Sequence, residues 1–256
     1  MEYKEKVPGK YEMIGPIGSG ASSNVYKIKD INTGNFYALK IFKKHKSSFD
    51  IEREIRMHSK LNHPNIIKLV EWQQDNDYIF IAIELCNSNL FQYLKHNKSL
   101  QEPEVISIVS EIAKAIKYLH DIGIAHRDIK LENVVKCDTV WKLIDFGFAD
   151  HEKYFDELIG TLDYLAPEIV KQEKYKGFPT DVWALGILMY ELLYGDPPFI
   201  SKTFNETYNS IKNNEPDFSG RKINPKIEEL IKAMLNKDPT QRITINQVIQ
   251  NLNNII

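Results

Sequence analysis

The stretch His126-Arg127-Asp128-Ile129-Lys130-Leu131-Glu132-Asn133 sets an acid, a lysine and an amide within one short turn, and Asp145-Phe146-Gly147 follows shortly after. Asp128 is placed to accept a hydroxyl proton or to orient that nucleophile, with Lys130 beside a transferring phosphoryl group. Asn133 and Asp145 offer hard oxygen ligands for Mg²⁺, or Mn²⁺, from two sides of a strand hairpin. Upstream, Gly18-Ser19-Gly20-Ala21-Ser22-Ser23 is a glycine-rich turn. Its glycines let backbone N–H groups approach phosphate oxygens, because no Cβ intervenes. Lys40 on the next strand, held by Glu54 on the following helix, suits the α- and β-phosphates of a nucleotide. Each feature alone has a plain explanation: a structural hairpin, a surface lysine, a charged turn. Their fixed order along the chain carries the argument, and Ala166-Pro167-Glu168 completes it.

These residues need elements to hold them. "YEMIGPIGSG", "NVYKIKD", "FYALKIF", "IIKLVEWQQ" and "YIFIAIEL" read as short strands, separated by turns such as Asn32-Thr33-Gly34 and Asp75-Asn76-Asp77. Because "NVYKIKD" continues as a strand, and Ser23 takes the third glycine position, the glycine turn does not open a dinucleotide-binding helix. Ile51, Ile55, His58 and Leu61 recur at helical spacing and stop before His63-Pro64. Past residue 88 the periodicity becomes helical. Val105, Ile108, Val109, Ile112, Ala115, Ile116 and Leu119 form one apolar face, with acids in the first turn. Short strands are expected around 133–144, and helices near 180–194, 204–213, 225–236 and 244–253. The class is α+β: a small β-rich lobe with one main helix, then a larger, mostly helical lobe.

The bulk composition removes other classes. Lysine and arginine total 33 against 35 acids, a net charge of −2, which points to neither nucleic acid nor an anionic membrane as partner. The run Val182–Tyr194 is too short to span a bilayer and contains Glu191, so it reads as a buried helix. MEYKEKVPGK lacks the apolar core of a signal peptide. The two cysteines, Cys86 and Cys137, lie far apart without metal-ligand spacing. They are expected as free thiols in a reducing compartment, Cys86 as a small hydrophobe and a handle for covalent ligands. A soluble cytoplasmic or nuclear protein follows.

From about Tyr11 to Ile249 the chain resembles eukaryotic protein kinases. The resemblance implies one two-lobed catalytic domain over 1–256, with an N-lobe at about 11–84, a hinge at 84–90 and a C-lobe at 91–256. No regulatory domain is expected at either end. ATP would lie between the lobes, under Ile17, Gly18, Ser19, Gly20 and Ala21, with Val25, Ala38 and Val135 around adenine. Glu84 to Cys86 would supply the hinge's backbone hydrogen bonds, and Ile83 would guard the back pocket. His58, Leu69, His126 and Phe146 would stack as an internal spine. Asp181 would brace the catalytic loop, and Arg242 would pair with Glu168. Lys130 in "HRDIKLEN" and Gly160-Thr161 resemble the serine/threonine branch. "REIRMHSKLNHPNIIKL", "GTLDYLAPEIV" and "YGDPPF" resemble Aurora kinases most, with Polo-like and calcium/calmodulin-type kinases next. Lys40 and Glu54 are 14 residues apart, a short interval that also brings Glu52 into consideration. Asn89 falls where an acid often holds ribose.

By the same pattern, the position that usually accepts an activating phosphate, three residues before Gly160, is Glu157. An acid there would supply a permanent charge for Arg127 and Arg53, with Asp156 sharing the task and Asp150 and Asp50 competing. A carboxylate brings about −1 where phosphate brings roughly −1.5 to −2. The alternative is a solvated Glu157 and a loop ordered by an activating partner protein. Thr161 is expected to position substrate, and Tyr154 to be an ordinary loop tyrosine. Glu132 and Glu191 match positions that read basic residues before the acceptor in protein substrates. Two rival classes remain, a pseudokinase acting as a nucleotide-binding scaffold and a small-molecule kinase. The complete "GTLDYLAPE", which builds a peptide platform in protein kinases, disfavours the second.

Overall fold

The computed structural model describes residues 7–19, 23–44 and 48–255, with Ser19 and residues 48–50 described by their backbone alone. Gly20, Ala21 and the side chains of Ser19 and Asp50 therefore lie outside the described residues. Strands β1 (Tyr11–Ser19), β2 (Ser23–Asp30) and β3 (Phe36–Lys43) precede helix α1 (Ser48–His58), and β4 (Leu69–Gln74) and β5 (Tyr78–Glu84) follow it. They form one antiparallel sheet in the order β1-β2-β3-β5-β4. The turns form for local reasons. The Asp30 carboxylate accepts the N–H groups of Asn32 and Thr33, and Asp75 accepts those of Asp77 and Tyr78.

Alternation along these strands divides the apolar residues between two faces. Leu39 and Ile41 join Tyr78, Phe80, Ala82, Tyr11, Met13 and Ile28 in a small outer core. Ala38 and Phe42 join Ile79, Ile81 and Ile83 in the main core. Lys40 shares the second face, directly across the ladders from Val25 and Ile81. The register thus points Lys40 toward α1, whose Ile55 and His58 are buried beneath the sheet. Helix α1 ends at His58, and a turn closed by Leu61 N–H on His58 O still buries Leu61.

The second half runs β6 (Ser88–Asn89), α2 (Leu90–Asn97), α3 (Glu102–Asp121), β7 (Ile124–Ala125), β8 (Val134–Cys137) and β9 (Val140–Leu143). There follow β10 (Asp150–His151), β11 (Tyr154–Phe155), α4 (Pro167–Val170), β12 (Tyr175–Lys176), α5 (Gly177–Tyr194), α6 (Phe204–Asn213), α7 (Pro225–Met234) and α8 (Ile245–Asn253). Helix α5 is buried on nearly every side, as its unbroken apolar run requires. It meets α7 so closely that a Cβ on Gly186 would stand 2.9 Å from Leu235 and from Met234. Two helices begin with reciprocal caps written in the sequence, Thr203 with Glu206 and Thr244 with Gln247. Among the described residues, no helix is long and apolar enough to cross a membrane.

The cysteines correct the sequence reading. Cys86 and Cys137, 51 residues apart, are joined by a disulfide, with Cα atoms 4.3 Å apart. The cause is the pairing of β6 with β8, Ser88 opposite Lys136 and Asn89 opposite Val135, which lays the hinge along the strand that ends at Cys137. Linear spacing carries no trace of that pairing.

Candidate active site

The turn between β7 and β8 gathers the chemistry. Leu131–Asn133 forms one turn of 3-10 helix, which folds Asn133 back so that its Nδ2 donates to Asp128 O at 2.8 Å and to Asp128 Oδ2 at 2.9 Å. Lys130 Nζ lies 2.8 Å from Asp128 Oδ2 and donates to Thr161 Oγ1 at 2.9 Å. The Thr161 hydroxyl donates in turn to Asp128 Oδ1 at 3.2 Å. Three side chains from two segments thus converge on one buried carboxylate with defined donors, a geometry suited to directing an incoming hydroxyl. The backbone beneath is strained: Arg127 has φ +68°, a region that costs a non-glycine residue about 1–3 kcal/mol. Asp181 on α5 holds it there. Its carboxylate accepts Arg127 N–H at 2.8 Å and His126 N–H at 2.9 Å, and His120 Nε2 stands 2.9 Å away.

Lys40 Nζ and Glu54 Oε1 are 4.0 Å apart, both largely shielded from solvent. Glu54, rather than Glu52, is the acid of α1 that faces the cleft; Glu52 pairs with Arg56 one helical turn along. Burial pushes the Glu54 carboxyl up, Lys40 offsets this, and Asp145 adds to it, so the three groups share one field. Asp145 adopts φ +66° and is exposed toward the cleft, whereas the next residue, Phe146, is buried. The Phe146 ring sits 4.8 Å from His58 and 5.2 Å from His126. Leu69 packs against the same core.

Burial sets the charge of His58. Its Nε2 lies 2.7 Å from Ile67 O, and desolvation drives its pKa down to about 4. The native state therefore keeps this ring neutral, while an unfolded chain protonates it below its ordinary value of 6.5. Its stabilising contribution is complete above that value and is lost as pH falls toward 4. Urea melts of the wild type should lose about 2 kcal/mol more between pH 7 and pH 5 than melts of His58→Met. Equal slopes for the two proteins would refute the assignment.

Around the expected nucleotide position, Ala38 is buried, Val25 and Val135 are half-buried, and Ile17 and Gly18 are exposed at the rim. Glu84 turns its carboxylate away from the cleft, taking Lys142 Nζ at 2.7 and 2.9 Å and Lys68 N–H at 2.7 Å. Among the described residues, none hydrogen-bonds the backbone N–H or C=O of Cys86, which leaves both available. Asn89 spends its side chain capping α2 through Gln92 N–H at 2.8 Å, so the weak ribose signal at this position has a local explanation. For a divalent cation the donor set is lean. Asn133 has its amide nitrogen committed to Asp128, so its oxygen and the Asp145 carboxylate are the hard donors on offer. No cluster of three or more His, Cys, Asp or Glu side chains occurs among the described residues. One carboxylate and one amide oxygen fit Mg²⁺, which keeps most of its shell for water and phosphate oxygens.

The segment between Asp145 and Glu168 is tied down twice. Arg127, with its side chain 4% exposed, donates from NH2 to Glu157 Oε2 at 3.2 Å and to Tyr175 OH at 3.4 Å, and its guanidinium lies 3.7 Å over the Phe155 ring. Strand β11 pairs with β12 beside this contact, and Tyr175 OH donates to Glu157 O at 3.0 Å. Arg53 departs from expectation. It approaches Asp150 Oδ2 at 3.6 Å and donates to Ala149 O at 3.4 Å, so it serves the start of the segment instead of Glu157. Asp156 and Tyr154 are exposed. At the far end Arg242 forms a bidentate pair with Glu168, at 2.8 and 2.9 Å, fully buried. Glu132 is exposed, but Glu191 is not a free surface acid. It is buried, accepts the Tyr164 hydroxyl, and is pushed up to about 7 by desolvation. Sequence reasoning missed that hydroxyl partner, since no spacing rule links residues 164 and 191.

Comparison with known proteins agrees with this geometry. The family described as the protein kinase domain matches residues 11–252. The chain is 36% identical over 250 residues to the serine/threonine-protein kinase polo of Drosophila melanogaster, covering 93% of this chain and 43% of that protein. It is 35% identical over 248 residues to the serine/threonine-protein kinase plk-1 of Caenorhabditis elegans, covering 93% and 38%. It is 34% identical over 251 residues to the cell cycle serine/threonine-protein kinase CDC5/MSD2 of Saccharomyces cerevisiae, covering 91% and 35%. The chain thus spans less than half the length of these curated relatives. The first two are Polo-like by name, the second family that the sequence resembles, and they lend the Aurora reading no support.

Proposed function

Since the chain belongs to the protein kinase family, we propose that it transfers the γ-phosphate of Mg-ATP to serine and threonine hydroxyls of protein substrates. One observation carries the reading: Asp128, Lys130, Asn133 and Thr161 form a closed hydrogen-bonded set. Asp128 would receive or orient the acceptor hydroxyl, Lys130 would neutralise charge on the transferring group, and Lys40 would hold the α- and β-phosphates. Asn133 and Asp145 would hold Mg²⁺, which shields phosphate charge when bound. The scaffold alternative fares worse, because Phe146 is packed inward and Lys40 faces Glu54. Within the branch, the relatives favour a Polo-like over an Aurora-like catalytic domain. Residues 1–256 would be a single catalytic domain. A mild preference for basic residues before the acceptor rests on exposed Glu132, with Glu191 contributing charge only once its proton is lost above about pH 7.

Glu157 supports activity without phosphate on the segment. It presents a genetically fixed charge to Arg127, weaker than phosphate and, at 52% exposure, partly screened. The test is transfer from labelled ATP with Mg²⁺ to a generic basic protein, using phosphatase-treated enzyme. Wild type should transfer, and Glu157→Ala should be slower by about three- to tenfold. Absence of transfer by wild type would favour the scaffold reading. Equal rates for wild type and variant would leave ordering of the segment to a partner protein.

A further inference from the structure

The Cys86–Cys137 bond lies where lobe motion must pass. Cys86 sits in the hinge, with its backbone N–H and C=O free of partners among the described residues. Cys137 ends β8, the strand that carries Val135 at the expected adenine floor. Without the bond, the hinge is held to the helical lobe at its first residue, where Glu84 takes Lys142, and again from Asn87 onward, by Asn87 N–H on Lys136 O at 2.8 Å and the two-residue strand β6. With it, the anchor moves up to Cys86 itself. Glu84 is already braced by Lys142 and Lys68. Leu85 then remains as the free joint between two fixed points.

We propose that Cys86 and Cys137 form a reversible redox pair whose closure staples the hinge and slows nucleotide exchange. The chain has two cysteines, so the fold brings this pair together without a wider disulfide framework, and an isolated disulfide is the kind that serves transient or redox-sensing roles. A peroxide is the oxidant. The Cys86 thiolate, on the half-buried side of the pair, attacks one peroxide oxygen. An S–O bond forms, the O–O bond breaks, and the other oxygen leaves as water after taking a proton. The Cys137 sulfur then displaces the sulfenic oxygen: the S–S bond forms, the S–O bond breaks, and a second water leaves with the Cys137 proton. The two thiols lose two electrons, which the peroxide accepts. A small thiol reductant reverses the bond by exchange. Closure restricts the opening that releases nucleotide, so bound ADP stays longer.

The coupling rests on the nucleotide-binding reading of the hinge, and the bond itself is read independently of it. Wild type and Cys137→Ser are treated with hydrogen peroxide or dithiothreitol and mapped by peptide mass for the 86–137 cross-link. Dissociation of a fluorescent ADP analogue is then followed in each state. Oxidised wild type is expected to be cross-linked and to release the analogue about threefold or more slowly than reduced wild type. Dithiothreitol should restore the fast rate, and Cys137→Ser should stay fast in both states. Absence of the cross-link after peroxide overturns the pair, and a cross-linked protein with unchanged release overturns the coupling. Should Cys137→Ser fold poorly, the wild type's own reversal by dithiothreitol decides the matter. Wild type that binds no analogue in either state overturns the nucleotide reading and the coupling together, while the mass map still reports the bond.

Discussion

Asp128→Asn is expected to lower turnover by about a thousandfold while leaving the KM for ATP nearly unchanged. The substitution keeps the shape of the side chain and room for the Asn133 and Thr161 contacts. It removes the one acceptor that can draw a proton from a substrate hydroxyl, and it takes away the charge that Lys130 faces at 2.8 Å. Lys40, the residue proposed to grip the phosphates, belongs to the sheet and is untouched, so ground-state binding should survive. A loss in kcat without a loss in nucleotide affinity marks an interaction made mainly in the transition state. Steady-state kinetics with peptide substrate, beside direct titration of an ATP analogue, separates the two. A fall of less than about tenfold would mean that Asp128 does not act on the proton, and the scaffold reading would then gain.

Much of this was legible because it is local or periodic. The alternation in "FYALKIF" and "YIFIAIEL" assigns faces, so Lys40 falls on the same face as Val25 and Ala38, and the register agrees. Helical spacing finds α3 because its apolar stripe is long, α5 shows as an unbroken apolar run, and the two Thr caps fix where α6 and α8 begin. What stayed hidden depends on contacts between distant segments. Whether Arg53 serves Glu157 or Asp150 is decided by how α1 sits over the start of the activation segment, which no spacing records. Glu191 is read as an acid that meets basic residues of a substrate, yet α5 buries it against Tyr164. The Cys86–Cys137 bond needs the β6–β8 ladder, a pairing of only two residues on its shorter strand. Residue type proposes a chemistry, and tertiary placement selects its partner.

Arg242→Ala should be strongly destabilising, costing about 3–5 kcal/mol in urea unfolding. The Arg242 side chain has 0% exposure and that of Glu168 3%. Removing the guanidinium leaves a buried carboxylate without its bidentate donors. It also strips a donor from Pro179 O at 2.9 Å and from Asn236 O at 3.0 Å, and a cation from the Trp183 face. The sign of the effect depends on breaking one side only. Replacing both members with apolar residues, Arg242→Met with Glu168→Leu, should recover a large part of the loss, because no charge is then stranded in the interior. The same pair joins the end of the activation segment to the turn before α8, so Arg242→Ala should also raise the KM for a peptide while sparing that for ATP. A loss below about 1 kcal/mol would place the pair among ordinary exposed salt bridges. A double variant no more stable than Arg242→Ala would show that the backbone carbonyls, and not the stranded Glu168 charge, set the cost.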